Sequence, residues 1–291
     1  MAKVLVSKIC GLCAGALNAI LKTRELAMKE KNVTLFKELL HNKNVIKELQ
    51  GKGVTTKNTL EEITKNDYVI IRAHGEPKAT YDCLNKRKIN HLDLTCANVK
   101  AINMLAHKKD AEGYKIILIG KHGNNENEMH PEVKGTAGWC NNPILIENEN
   151  EIKNIDMSYQ KYFLAVQTTF NKEKAEKFIK QIKLKMEQHK KIFEFKNTIC
   201  NAQKNINLAS KELAEQVDIM IVIGGKNSSN TKELFNAMKE IKPTLHIEDE
   251  KDLEDLINQK LISHNQIIGI TAGASTMPED IEKIKKIIEK I

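Results

Sequence analysis

Long apolar runs are missing from this chain of 291 residues. The longest, Ile116-Ile117-Leu118-Ile119 and Ile219-Met220-Ile221-Val222-Ile223, have the size of strands and fall far short of the ~20 residues needed to span a bilayer. The N-terminus, Met1-Ala2-Lys3-Val4-Leu5-Val6, leads straight into a strand pattern and lacks an apolar signal core, so the expected location is the cytoplasm. Arginine is scarce. Arg24, Arg72 and Arg87 are the only three among 46 basic residues. A net charge of +8 suits an anionic partner, but the lysines alternate with glutamates on patterns such as 173–191, as on solvated helix faces. A surface that reads bases recruits more arginine, so neither nucleic acid nor membrane is the expected partner. No stretch richer in Gly, Pro or Ser than an ordinary turn separates the segments, which should pack tightly. Six cysteines in a long cytosolic chain argue against a disulfide framework and for metal binding or catalysis. Cys10 and Cys13 form one C-x-x-C, with no second to complete a zinc site.

What the chain does have is one pattern three times. Cys13, Cys96 and Cys200 each end a short strand-like run and open a helical pattern, to about Glu30, Asp110 and Gln216. Behind each cysteine, short apolar strands alternate with amphipathic helices, which predicts parallel sheets covered by helices. The expected segments are 1–95, 96–199 and 200–291. A thiol at a helix N-terminus ionises readily, and thiolates are the ligands that iron–sulfur clusters need. Three such ligands would leave one iron of a four-iron cluster open to substrate. Cys10, Cys83 and Cys140 break the repeat; Cys140, after Trp139, is most simply a buried hydrophobe.

In parallel sheets, ligands bind beyond the carboxyl ends of the strands. The polar tips there include His41, His74, His130-Pro131-Glu132, Thr168 and Ser275. Gly224-Gly225-Lys226-Asn227-Ser228-Ser229-Asn230 offers backbone N–H groups, two hydroxyls and an amide at a helix start, which suits phosphate or simply caps the helix. Glu132, the one carboxylate of this set on a loop tip beside a proline, is the best candidate general acid. Two single-residue expectations complete the pass: an acidic helix near 60–63 and a strand at 68–71.

These residues resemble the 4-hydroxy-3-methylbut-2-enyl diphosphate reductase family, also called LytB or IspH. The stretches that carry the likeness are Gly11-Leu12-Cys13-Ala14-Gly15, His41-Asn42, Ala73-His74-Gly75, Asp93-Leu94-Thr95-Cys96, His130-Pro131-Glu132-Val133, Gln167-Thr168-Thr169, Thr198-Ile199-Cys200, Lys226 to Asn230 and Thr271-Ala272-Gly273-Ala274-Ser275. The resemblance implies an α/β trefoil of three pseudo-threefold-related domains with parallel sheets around a central 4Fe-4S cluster on Cys13, Cys96 and Cys200. It implies that the substrate hydroxyl meets the open iron, that His41, His74, His130, Ser228, Asn230 and Ser275 bind the diphosphate, with Ser229 beside them, and that Glu132 donates a proton with Thr168 near the hydroxyl. The reaction would be a reductive dehydroxylation giving isopentenyl and dimethylallyl diphosphates, with electrons from a ferredoxin or flavodoxin. Two other readings remain at this point, an iron–sulfur redox or oxygen sensor and a quinolinate synthase-like dehydratase. The chain departs from the family pattern in four places. Residues 124–129 intervene between Gly123 and His130, as a bulge or as a lid over the proton donor. Gln203, Ile206 and Asn207 stand where the family has Thr, Arg and Gln, Ala97 replaces a Pro, and Met277 is extra.

Overall fold

The computed structural model describes residues 3–39, 43–125, 127–226, 228–274 and 276–291. In chain order the first elements are β1 (Lys3–Val6), α1 (Ala14–Lys29), β2 (Val33–Phe36), α2 (Lys43–Gly51), β3 (Thr55–Lys57), β4 (Tyr68–Ile71), α3 (Lys78–Lys86) and β5 (His91–Asp93). Next come α4 (Ala97–Ala111), β6 (Lys115–Ile119), α5 (Pro131–Ala137), β7 (Ile144–Ile146), α6 (Glu149–Lys153), β8 (Lys161–Val166), α7 (Lys172–Gln188) and β9 (Ile192–Phe195). The last are α8 (Ala202–Ala214), β10 (Ile219–Ile223), α9 (Ser229–Lys239), β11 (Thr244–Ile247), α10 (Glu250–Asn258), β12 (Ile267–Ala272) and α11 (Pro278–Ile288).

Among the described residues twelve strands form three four-stranded sheets, β3-β2-β4-β5, β7-β6-β8-β9 and β11-β10-β12-β1. Every pairing among them is parallel, as the alternation of short apolar strands and helices requires. The three orders are one order. In each sheet the first strand of the repeat lies second, the next lies outside it, the third lies beside the first, and the far edge is the strand that leads into a cysteine: β5 into Cys96, β9 into Cys200, β1 into Cys13. Strands β2–β5 form the first sheet, β6–β9 the second, and β10–β12 with β1 the third.

The chain divides into two compact units, residues 1–17 with 201–291 and residues 18–200. In the first unit, Ile221, Ile223, Ile268 and Ile270 pack on Ile281, Ile284 and Ile288 of α11, while Met220 and Val222 face Ile206 and Leu213 of α8. In the second, Ile117, Ile119, Tyr162 and Leu164 face Phe178, Ile182 and Met186 of α7, and Ile116, Leu118, Phe163 and Ala165 face Ile102 and Ala106 of α4. The central strands β6, β8 and β10 thus bury both faces, which is why they read as unbroken apolar runs rather than alternating ones.

The acidic helix expected near 60–63 is a turn. The Arg87 guanidinium donates to the carbonyls of Leu60 (2.6 Å) and Ile63, and the Glu62 carboxylate accepts the N–H groups of Asn58 (2.7 Å) and Thr59 (3.1 Å). Those carbonyls are committed to a side chain brought from α3, a partner that local propensity does not register. Among the described residues no helix is long and apolar enough to cross a membrane.

Within the second unit, α5 is fastened to the loop after β4. The Trp139 indole donates to the Glu76 carbonyl (3.0 Å), Lys78 N–H to the Gly138 carbonyl (3.3 Å), and the Gly138 Cα faces Pro77 so closely that a Cβ there would lie 2.4 Å from the Pro77 Cβ. Gly138 has an ordinary helical φ of −71°, so only this contact demands glycine. Gly138→Ala is therefore expected to destabilise the protein by about 1–3 kcal/mol through overpacking, read as a lowered urea midpoint; an unchanged midpoint would show that α5 is not tied to that loop.

Candidate active site

The second unit holds six of the expected residues: His74, Cys96, His130, Glu132, Thr168 and Cys200. Strand β8 ends at Val166, and Thr168 follows two residues later. Helix α5 starts on Pro131, whose missing N–H costs nothing at that position, with His130 as its N-cap and Glu132 in its first turn. The Thr168 N–H donates to Glu132 Oε1 (2.6 Å) and the Thr168 hydroxyl to Oε2 (2.7 Å). Glu132 is only 2% exposed. Its burial pushes the carboxyl pKa above the usual glutamate value, and the two Thr168 bonds offset that only in part. A carboxyl in this position keeps its proton to higher pH than an exposed one, which is what a general acid requires.

His130 Nδ1 accepts the Glu132 N–H (3.2 Å), which leaves the imidazole proton on Nε2. The His74 ring stands edge-on to the His130 ring, 5.6 Å between centroids and 82° between planes. The His74 loop is held from behind by Glu76, 1% exposed, which accepts Arg72 Nε (2.9 Å) and Lys37 Nζ (2.6 Å). Gly75, with φ of +72°, makes the turn that only glycine takes easily.

Two of the cysteines lie in the same unit and are fixed by equivalent bonds. Cys96 N–H donates to the Ala73 carbonyl beyond β4 (2.9 Å), and Cys200 N–H to the Thr168 carbonyl beyond β8 (2.7 Å). Thr168 therefore positions the acid with its N–H and hydroxyl, and a cysteine with its carbonyl. Cys96 is the N-cap of α4, yet its side chain makes no capping bond. The Asn98 amide donates to the Cys200 sulfur (3.5 Å), a contact with no signal in the sequence because it joins residues 102 apart.

The described residues on either side of the 124–129 insertion are tied to the scaffold. His130 N–H donates to the Lys121 carbonyl (2.9 Å), closing the base of the loop. The N–H groups of His122 and Gly123 are bound by the Glu147 carboxylate (2.8 and 2.9 Å), and that of Asn124 by Glu128 (2.9 Å). A cleft of about 600 Å³ lies here, lined by Lys121, Asn124, Glu128, Glu147, Glu151 and Lys174, and His130 and Glu132 stand at the start of α5.

In the first unit, Cys13 immediately precedes α1, and its loop is tied to the end of β12: Gly11 N–H donates to the Ala272 carbonyl (3.0 Å) and Leu12 N–H to that of Thr276 (3.0 Å). Ser228 caps α9 by accepting the Thr231 N–H (3.3 Å), and Asn230 is exposed in that helix's first turn. His41 and Ser275 lie outside the described residues, as does the side chain of Ser229. Gln203 donates to Asn207 (3.0 Å), which leaves the buried Gln203 Oε1 without a hydrogen-bond partner. Met277, the extra residue, is the N-cap of α11 and is buried. Cys10 donates its S–H to the Ser7 carbonyl (3.4 Å) and packs on the β10–β12 core; burial holds its pKa up, so it remains a thiol. Cys140 is likewise pushed up, to about 12, by burial and Asp110.

Among the described residues no cysteine is joined in a disulfide. Among the described residues no three His, Cys, Asp or Glu side chains are gathered as a single metal ion requires. That does not touch a multi-iron cluster, whose thiolates bind different irons. Three cysteines heading three helices, each fixed through its own or a neighbouring N–H to a strand end, have the donor chemistry for such a group.

The family described as LytB protein matches residues 4–289 of this chain. The chain is 35% identical over 291 residues to the 4-hydroxy-3-methylbut-2-enyl diphosphate reductase of Clostridioides difficile, covering 98% of this chain and 99% of that protein. It is 34% identical to the Aquifex aeolicus protein of the same name, covering 100% and 97%. A solved structure of the (E)-4-hydroxy-3-methyl-but-2-enyl diphosphate reductase, the terminal enzyme of the non-mevalonate pathway, superposes with a TM-score of 0.85 at 32% identity over 100% of both chains. The corresponding reductase of Plasmodium falciparum gives 0.73 at 26% identity, over 98% of this chain and 87% of that one.

The Glu132–Thr168 pair makes stability depend on pH with a defined sign. A carboxyl whose folded pKa is raised contributes stability that is fully present below the unfolded value and lost as pH rises through the folded value. Thr168→Val removes a donor to the anion and raises the folded pKa further. The variant is expected to lose about 1–3 kcal/mol, and more at about pH 8 than at about pH 5. Urea midpoints at the two pH values test this; an equal loss at both would mean that the hydroxyl does not serve the charged carboxyl.

Proposed function

The chain belongs to the LytB protein family, and we propose that it carries out the reaction for which its full-length relatives are named, reductive dehydroxylation of 4-hydroxy-3-methylbut-2-enyl diphosphate. Those relatives favour this reading over the sensor and the dehydratase. The observation that carries it is the buried Glu132 carboxyl, held by two donors from Thr168 at the strand end that also fixes Cys200.

The proposed cofactor is a 4Fe-4S cluster on Cys13, Cys96 and Cys200, in a trefoil arrangement of the three repeats. When bound, it supplies single electrons and an electrophilic iron. The chain's own residues do the rest. His74 and His130, with His41, Ser228, Ser229, Asn230 and Ser275, bind the diphosphate and set the allylic alcohol in place. Glu132 gives its proton to the leaving hydroxyl, which departs as water. Two electrons and a second proton complete the exchange of C–O for C–H, giving isopentenyl or dimethylallyl diphosphate. Thr168 holds the Glu132 carboxyl in orientation throughout. The electrons come one at a time from a ferredoxin or flavodoxin, and the reaction takes place in the cytoplasm.

Anaerobic cluster-loaded protein is expected to oxidise reduced methyl viologen only when the allylic diphosphate is added; indifference to substrate would refute the activity. Glu132→Gln should keep the cluster and bind substrate while turnover falls by about 10²–10⁴-fold, and normal turnover would remove Glu132 as the acid. Cys96→Ser should lose iron, and an unchanged iron content and spectrum would refute the ligand set.

A further inference from the structure

The three helices that follow the cysteines share a feature that packing does not account for. The eighth residue after each cysteine is a large apolar side chain in solvent: Leu21 on α1 (48% exposed), Met104 on α4 (54%) and Leu208 on α8 (50%). The first and fifth residues after each cysteine are exposed too: Ala14 and Asn18, Ala97 and Ala101, Asn201 and Asn205. Positions one, five and eight fall on one face of a helix, so each helix turns the same stripe outward. On a solvated helix these places suit charged residues. Single exposed apolar residues are commonplace, but the same offset in all three repeats is a pattern.

On α4 the stripe has its fullest context. Lys100 and Lys108 stand four residues either side of Met104, with side chains 58% and 72% exposed. Lys196 is exposed on the segment between β9 and Cys200. That segment lies along α4: Glu194 pairs with Lys109 near the end of the helix (2.7 Å), and Asn98 in its first turn reaches the Cys200 sulfur (3.5 Å). The carboxylates nearby are shared among the lysines, Asp93 with Lys100, Glu112 with Lys108 (3.9 Å) and Lys109, and Glu194 with Lys109. Lys100, Lys108, Lys109 and Lys196 thus face three carboxylates, and a net positive rim surrounds an apolar centre, on the helix that starts at Cys96 and touches Cys200. Eight residues of helix set Met104 only about 12 Å along the axis from Cys96.

We propose that the outward face of α4, centred on Met104 and rimmed by Lys100, Lys108 and Lys196, is where an acidic one-electron carrier protein docks. The inference rests on the proposed reductase activity, which requires two electrons per turnover delivered singly, the carrier being oxidised by one electron at each visit. An apolar centre with a charged rim is the form that transient interfaces take, and weak redox encounters need only a small area. The rim steers an acidic partner at low salt, and Met104 supplies the contact that water must leave.

The test uses cluster-loaded protein and a small acidic ferredoxin, reduced chemically. Calorimetric titration of ferredoxin into Met104→Glu should show binding weakened by about tenfold or more, with the ferredoxin KM raised alike and the methyl viologen rate unchanged. Lys108→Glu should weaken binding mainly at low salt. Leu184→Glu, which places the same charge on an exposed apolar site of α7, should leave ferredoxin binding alone. Unaltered ferredoxin affinity in Met104→Glu overturns the proposal, as does an equal loss in Leu184→Glu, since net charge would then explain it. A wild-type dimer abolished by Met104→Glu would assign the face to a second copy and overturn it too. Ferredoxin binding that depends on Met104, in a protein unable to reduce the allylic diphosphate, would support the docking face and remove the reaction.

Discussion

The site depends on a carboxyl group kept away from water. Burial alone would make Glu132 expensive to ionise and free to turn; the two Thr168 donors fix its plane without restoring the solvation it has lost. Both effects need the ends of β8 and α5 to stay where they are. The Asn103–Thr136 hydrogen bond (2.7 Å, buried) and the Trp139 and Gly138 contacts with the 76–78 segment keep α5 there. The same Thr168 whose N–H and hydroxyl hold the acid lends its carbonyl to Cys200. A displacement of this one residue would move the proton donor and a proposed cluster ligand together.

The repeat explains why three distant cysteines are presented alike. In each sheet the strand leading to the cysteine is an edge strand paired with the third strand of a repeat, and the chain beyond it is tied to that strand's carboxyl end. The ties are not identical: Cys96 and Cys200 use their own N–H groups, whereas Cys13 is placed through Gly11 and Leu12. The C-x-x-C spacing is part of this difference. Cys10 packs its side chain on the core and donates its S–H to the Ser7 carbonyl, a packing role.

Much of this was legible in the sequence, for physical reasons. Strands such as 33–36, 144–146 and 219–223 lie where their runs rich in β-branched and apolar residues begin and end. Glu132 stood out as the one carboxylate among the polar tips beside a proline, whereas the short helix α5 that it opens did not. The failures came from partners distant in sequence. Arg87 takes the carbonyls that a helix at 60–63 would have used. The pairing of β1 with β12 joins the two ends of the chain, and Asn98 meets Cys200 across a hundred residues. The base of the loop before His130 is held by Glu147 and by the Lys121–His130 bond, partners that local composition does not encode.

The central claim is that Glu132 holds its proton beyond the range of an ordinary carboxylate and is ready to give it up. Infrared difference spectra of the protein, titrated against pH with Glu132→Gln as the reference, isolate its C=O stretch. The account predicts a protonated-carboxyl band that disappears with a midpoint above the ordinary glutamate value of about 4.3. A band that disappears at or below that value would mean that Thr168 holds an anion, and that the proton for the leaving hydroxyl comes from another group.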